Sequence, residues 1–310
     1  MRKDILKPLL FILIIASCNS IDPIIDNPNN NNNIDTTENN NQFCDDCIKS
    51  YDFDILTLGV GPEGEIVNEP KVPAALTIRR LDSIFYEGII GIEIRGESSQ
   101  FFDKKSYGFE TWDAEYNDLD VALIGFPEEE DWILHGPFSD KSLIRNKLIY
   151  ELSNQMGRYA TKTEFVELTI NYEYKGLYIF MEKLKRDKNR INISKLENGD
   201  IDEESISGGY IIKIDKSDME DGSYSDYNSF QSKFDVFGNE DGDIRINFNY
   251  EYPKPGEIHA NQKNYIKNYF YEFESSLASN NFKDPNDGFR KYIDENSFID
   301  FFIINELSNN

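Results

Sequence analysis

Residues 91–110 read GIEIRGESSQFFDKKSYGFE. With the residue before them, Ile90, Ile92 and Ile94 fall on one side of a period-two pattern and Glu93 and Arg95 on the other, as in a strand buried on one face. Residues 96–100 are short and polar, a turn with backbone N–H groups to offer, and residues 104–112 resume as a second strand. Lys105 shares its parity with Tyr107 and Phe109. If the aromatics face the core, a lysine ammonium faces it too, and a buried cation needs a partner or loses its charge. The other reading is a stem that snorkels at the strand's end.

Working outward, 54–60, 74–80 and 131–134 read as strands. Residues 139–157, SDKSLIRNKLIYELSNQMG, read as a helix with Ser139 or Asp140 as N-cap and Gly157 past its end. Its apolar stripe is Leu143, Ile144, Leu148, Leu152 and Met156. Arg145 stands beside the stripe, either reaching across the packed face or lying at the surface. Residues 164–170 and 175–184 flank Asn171, Tyr172, Glu173 and Tyr174 as a hairpin. The second strand is apolar on both faces from Leu177 through Met181, so it belongs in the middle of its sheet. Glu182 ends that strand and is the right type of group to neutralise Lys105. A Lys–Glu pair beside a cleft is how kinases hold the phosphates of ATP; a buried pair without a ligand is the structural alternative. The whole reads as α+β.

The chain's 57 Asp and Glu against 32 Lys and Arg give a net charge of −25. That charge argues against nucleic acid and against a basic membrane-binding surface. The acidic segments 128–131, 200–204 and 215–226 read as solvated turns. Asp215, Asp218 and Asp221 lack the ligand order of a calcium loop. Trp112 and Trp132 fall in core-like strands, which favours packing over carbohydrate binding.

At the start, Arg2 and Lys3 precede an apolar run, 9–16, that is short for a bilayer span, and Cys18 follows Ala16 and Ser17. This resembles the lipobox of bacterial lipoproteins. It implies a signal peptide over 1–17, acylation at Cys18, and export to a periplasmic or cell-surface membrane. Residues 18–50 are Asn-rich and read as a flexible tether. Within them Cys44 and Cys47 form a CxxC; with His135 and His259 the only histidines, a local disulfide or two free thiols is favoured over zinc. Residues 51–310 are long enough for one large domain or two intimate ones, and read as one.

RGESSQFFDKKSYGFE, DWILHGPFSDKSLIRNKLIYELSNQMG, FVELTINYEYKGLYIFMEKLKRDKNRI and GGYIIKID resemble the CotH kinase family in order and spacing, from about Asp54 to the last residue. The resemblance implies an atypical protein-kinase-like fold, with an N-lobe β-sheet, packed helices and a nucleotide cleft. It implies ATP and Mg as cofactors and transfer of phosphate to Ser or Thr of secreted or surface proteins. On it, Lys105, or Lys104 in the alternative register, contacts phosphate, Glu182 is its partner, and Arg95, Ser98, Ser99 and Arg145 shape the cleft. Neither a Walker A loop nor a standard kinase Gly-rich loop is present, which suits an atypical kinase.

The family's catalytic and metal-holding acids follow a helix ending in an NEL-like sequence. Here that position reads Asn305, Glu306, Leu307, Ser308, Asn309, Asn310. The expectation is therefore a C-lobe incomplete in this chain, with catalytic residues unassigned and no metal ligands. The helix over 297–307 is apolar around most of its circumference, so it should be covered on several sides. Asp187 and Asn192 have the spacing of an ordinary kinase catalytic loop, with Asp215 beyond, but no His precedes them. Residues 183–190 read instead as a solvated basic turn, or as contacts to nucleotide phosphate. Two functions remain open: a surface-tethered kinase, or a non-catalytic, pseudokinase-like binding lipoprotein.

Overall fold

The computed structural model describes residues 54–61, 65–80, 83–215 and 224–308. Cys18, the tether, Cys44, Cys47, Asp218 and Asp221 lie outside the described residues. The elements in chain order are β1 (Asp54–Val60), β2 (Val72–Arg80), β3 (Ser83–Arg95), β4 (Ser106–Trp112), β5 (Asp131–His135), α1 (Arg145–Gln155), β6 (Thr163–Ile170), β7 (Glu173–Glu182), β8 (Ile211–Ile214), β9 (Ser229–Asp235), β10 (Arg245–Tyr252), α2 (Ala260–Ala278) and α3 (Glu295–Ser308).

The first seven strands close into a barrel in the order β1-β2-β3-β4-β5-β7-β6, sealed by parallel pairing of β1 with β6. Alternation decides what faces inward. Leu56, Leu58, Leu76, Ile78, Ile90, Ile92, Phe109, Trp132, Leu134, Val166, Leu168 and Phe180 fill the interior. The opposite parity of β5 and β7 is also apolar: Ile133, Ile179 and Met181 face outward and are covered by Tyr150 of α1 and by Phe165. As its sequence predicts, β7 lies between two neighbours, β5 and β6.

Beyond the barrel, β8-β10-β9 form a second, antiparallel sheet. It packs on α2 through Phe230, Phe248, Ile266 and Phe270. At the head of α2 the His259 imidazole accepts a hydrogen bond from the Asn261 N–H (3.1 Å), and the Gln262 side chain accepts one from the His259 N–H (2.9 Å).

Three expectations need correction. The helix after β5 begins at Arg145, not at Ser139 or Asp140. Leu143 takes the left-handed φ of 63°, which breaks the first turn. Asp140 still caps it from the loop, accepting from the Arg145 N–H at 2.8 Å. Second, the expected stripe of α1 is not its buried face: Leu148 is 51% exposed and Leu152 40%. The helix is turned so that Tyr150 and Lys147 meet the barrel, with Lys147 Nζ donating to the Thr163 carbonyl at 2.8 Å. α3 packs beside α1 and is pinned by Arg158, whose Nε lies 2.8 Å from the Asp300 carboxylate. Yet Phe302 and Leu307 stay well exposed, so α3 is not enclosed by the described residues as its composition suggests.

Third, the basic run after β7 and the acidic run before β5 are not solvated turns. β5 starts where β7 ends, Trp132 lying opposite Glu182. The two charged runs therefore leave the barrel at the same end and neutralise each other. Lys183 and Lys185 reach Asp131 at 2.8 and 2.9 Å, Lys185 reaches Glu130 at 2.5 Å, and Arg190 reaches Glu129 at 2.7 Å. Arg190 also donates to the Asp131 carbonyl at 2.7 Å and lies over the Trp132 ring. Lys183, Lys185 and Arg190 each already have a carboxylate and are not free to hold a phosphate in the manner expected. Arg186 of the same run lies over the Tyr252 ring with its Nε unpartnered among the described residues.

Candidate functional site

The strand directions settle the expected Lys105–Glu182 pair. β4 is antiparallel to β5 and β5 to β7, so β4 and β7 run the same way. Lys105 precedes the first residue of β4, and Glu182 is the last residue of β7. They lie at opposite ends of the barrel and form no ion pair. Lys105 Nζ donates instead to the Gln100 carbonyl at 2.5 Å, bracing the turn it follows. Lys104 Nζ donates to the Lys175 carbonyl at 2.8 Å and sits 4.1 Å from the centre of the Tyr178 ring. Burial draws the Lys104 ammonium below its usual range. Glu182, 1% exposed, accepts from the Lys162 N–H at 3.0 Å, with Lys162 Nζ 3.9 Å away. The Tyr159 hydroxyl lies beside it and is pushed up, by burial first and then by the Glu182 charge.

The other end of the barrel carries a different constellation. Ile94 packs toward the core, so Arg95, the next residue, projects outward at the end of β3. Its partner across the sheet is Ser106 on β4. Tyr107 opposes Leu134, which places His135 of β5 level with Ser106 and, like Ile133, on the outer face. Arg95, Ser106 and His135 thus form one row across three strands, a long side chain on each side of a short one. Gly108 makes a similar shelf one step along: a Cβ there would lie 3.4 Å from Glu93 Oε1 and 3.9 Å from Arg95 Cδ. Both side chains drape over that glycine.

Tyr150 of α1 and Asp215 and Glu251 of the second sheet act on the Arg95 charge, which places both elements on the row's side of the barrel. Burial draws the Arg95 guanidinium below its usual range, against the pull of Tyr150, Asp215, Glu251 and Glu93. Arg95 taken whole is nevertheless exposed, so the crevice between the row and these elements is open to solvent. Burial, and then the Arg95 cation, push the His135 imidazole down to about 4, with Asp140 pulling the other way. Burial raises the Tyr150 phenol and Arg95 opposes it. Among the described residues, the side chains of Arg95, His135 and Tyr150 make no hydrogen bond or ion pair. One cation, one neutral imidazole and one phenol with donors unused are suited to an anion with several oxygens.

Ser98 and Ser99 open a short 3-10 helix, Ser98–Phe101, directly after this row. Gly96 makes the reversal possible: its φ is 105°, and a Cβ would collide with the Ser99 hydroxyl. Phe102 stacks on Phe138 at 4.8 Å, tying the turn to the segment between β5 and α1. Arg145 does not join the row. Its side chain is 73% exposed and its Nε lies 3.6 Å from Asp140.

For a metal, Asp120, Glu129 and Glu130 bring carboxylate oxygens within 4.8 Å of one another. Glu129 already holds Arg190 and Lys185, and Glu130 holds Lys185. The trio lies at the barrel end away from Arg95, so it does not fit the magnesium of a nucleotide seated there. The donor set of the Arg95 row is of the chemical type that phosphate oxygens take.

His135, Tyr150 and Glu251 escaped sequence reasoning as site residues, and Asp215 entered it only through a weak spacing match. The available signal was parity: Arg95 and Glu93 point away from the core, so chemistry on that hairpin belongs to the outer face.

A family model described as CotH kinase protein matches residues 92–310, beginning within β3 rather than near Asp54. Inner spore coat protein H of Bacillus subtilis (strain 168) is 27% identical over 139 residues, 44% of this chain and 33% of that protein. The chain thus matches about a third of the length of this relative.

Proposed function

The chain belongs to the CotH kinase family, and from that premise we propose that it is a kinase-like protein that binds the phosphates of ATP over Arg95. In this reading the barrel takes the place of a kinase N-lobe. The acceptor is a Ser or Thr of a secreted or surface protein, and acylation of Cys18 tethers the domain to a membrane. The observation that carries the proposal is the row of Arg95, Ser106 and His135, with the Arg95 and His135 side chains making no hydrogen bond or ion pair among the described residues. Arg95 would hold phosphate oxygens and offset the charge that gathers on them during transfer. Ser98 and Ser99 would form the rim. Lys104 and Lys105 would support the fold beside the site, since carbonyls already occupy both ammonium groups.

A second reading, a non-catalytic binding module, has its own support. Glu251, one of two second-sheet carboxylates facing Arg95, is held by Lys254 at 2.5 Å and by Lys213 at 3.6 Å. ADP with and without magnesium tests both readings. Ligand at one hundred times its Kd stabilises the native state by about 2.7 kcal/mol, and for a domain of this size that raises Tm by roughly 5–10 °C. A shift together with γ-phosphate transfer from ATP to a casein-type acceptor is the kinase outcome. A shift without transfer is the binding-module outcome, and no shift sinks both.

A further inference from the structure

We infer that His135 is a proton-linked positioning residue: a tetrahedral dianion seated on Arg95 draws a proton onto the His135 imidazole, and the two hold it together. The inference rests on the reading of this crevice as a phosphate seat, and it adds how that seat responds to acidity.

The geometry comes from the register. Arg95 lies directly across from Ser106, and His135 is level with Ser106 on the strand beyond. Two strand spacings separate their backbones by about 10 Å, and the residue between them, Ser106, has a short side chain. Ser106 Oγ accepts from the Gly136 N–H at 3.0 Å, which fixes the backbone just past the imidazole. An anion lying over Ser106 would meet the guanidinium from one side and the imidazole from the other. Neither His135 nitrogen has a hydrogen-bond partner among the described residues, so nothing competes for that contact.

The electrostatics supply the sign. In the free crevice, burial and the Arg95 cation keep the imidazole neutral, down to about pH 4. The charged neighbours are Arg95 on β3, whose effect dominates, and Asp140 in the loop after β5, which opposes it. Glu93 on β3, Tyr150 on α1, and Asp215 and Glu251 from the second sheet face the Arg95 guanidinium instead. A dianion between guanidinium and imidazole cancels the first repulsion and adds an attraction, so the protonated form becomes the favoured one. If the midpoint rises from about 4 to about 6, linkage requires affinity to increase about tenfold between pH 7.5 and pH 5.

His135 and His259 are the only histidines, so NMR resolves both in the full-length chain, with His259 in its cap as the internal reference. The probe is sulfate, which stays dianionic across this range. Expected on adding sulfate is a rise of about two units in the His135 midpoint, with His259 unmoved. Sulfate should bind about tenfold tighter at pH 5 than at pH 7.5, and ADP should displace it. In Arg95→Met the sulfate-induced shift disappears; in His135→Gln the affinity for sulfate no longer depends on pH. Sulfate binding with the His135 midpoint fixed, or a His135→Gln protein that keeps the tenfold dependence, overturns the proton link while leaving the phosphate seat standing. Failure of both sulfate and ADP to bind at either pH removes the seat itself.

Discussion

Arg95→Met is expected to weaken ADP binding by about 10- to 100-fold while leaving the fold intact. Charge-assisted hydrogen bonds to phosphate are worth roughly 1.5–3 kcal/mol, and methionine removes all of them while keeping most of the apolar stem. The folded protein loses little, because the Arg95 side chain makes no hydrogen bond or ion pair among the described residues. Surface changes of that kind stay within about 0.5 kcal/mol. Lys105→Met is the instructive comparison. Its ammonium braces the Gln100 carbonyl, so its loss should loosen the 96–101 turn and change ADP affinity less than Arg95→Met does. Isothermal titration of the two variants, with urea unfolding alongside, decides the order; a larger effect at Lys105 would return the phosphate contact to that lysine.

Arg190→Ala should produce the largest loss of stability, about 3–5 kcal/mol: Lys185 still reaches one Glu129 oxygen, but the other oxygen and two backbone carbonyls lose a buried, charged donor. The Arg190 side chain is 1% exposed and that of Glu129 6%. Removing the guanidinium strips Glu129, the Asp131 and Lys183 carbonyls and the Trp132 face of a shared partner. Replacing both members with apolar residues, as in Arg190→Met with Glu129→Leu, should be much milder, because no orphaned charge remains. Chemical denaturation of the three proteins tests this, and equal losses in the single and double variants would contradict it.

The same knot gives stability a slope with pH. Burial first, and then the neighbouring Glu130, push the Glu129 carboxyl up to about 7 against the pull of Lys185 and Arg190. Glu130, against its own burial, is held down to about 2 by Lys185 and by hydrogen bonds with Glu129 and Asp120. The folded state therefore keeps a proton on Glu129 that the unfolded chain releases above about pH 4.5. That part of the stability falls as pH rises toward 7. The contribution of Glu130 has the opposite sign, present above about pH 4.5 and lost as pH falls toward 2. Glu129→Gln should flatten the slope between pH 5 and 7 and leave the acid limb in place.

What the sequence made legible was what periodicity governs. The alternation through Ile90, Ile92 and Ile94, and the apolar run from Leu177 to Met181, identify an edge of the core and its centre. Parity failed one residue beyond the strand. Lys105 shares its phase with Tyr107, yet β4 begins at Ser106 and the turn claims the ammonium. Glu182 was correctly placed at the end of a buried strand. Its pairing with Lys105 required knowing how many antiparallel steps lie between β4 and β7, which is a fact of topology. The ion-pair knot joins residues more than fifty positions apart, and local reading saw two ordinary charged turns. α2 was not anticipated, because a histidine caps it and tyrosines such as Tyr265 and Tyr269 carry part of its inner face. The Arg95 row went unassembled for a related reason: Arg95 was noticed, but His135 joins it through pairing across β4.

The bare flank of α1 and α3 decides how this molecule behaves in company. Copies repel one another through a charge of −25, a repulsion that reaches about 10 Å in 0.1 M salt and only about 3 Å in 1 M. The attraction between exposed apolar side chains, here Leu148 and Leu152 of α1 and Phe298, Phe302 and Leu307 of α3, feels no such shielding. Brine, which dissolves clumps held by opposite charges, here weakens a force that keeps neighbours apart, so these side chains favour association in concentrated salt over dilute.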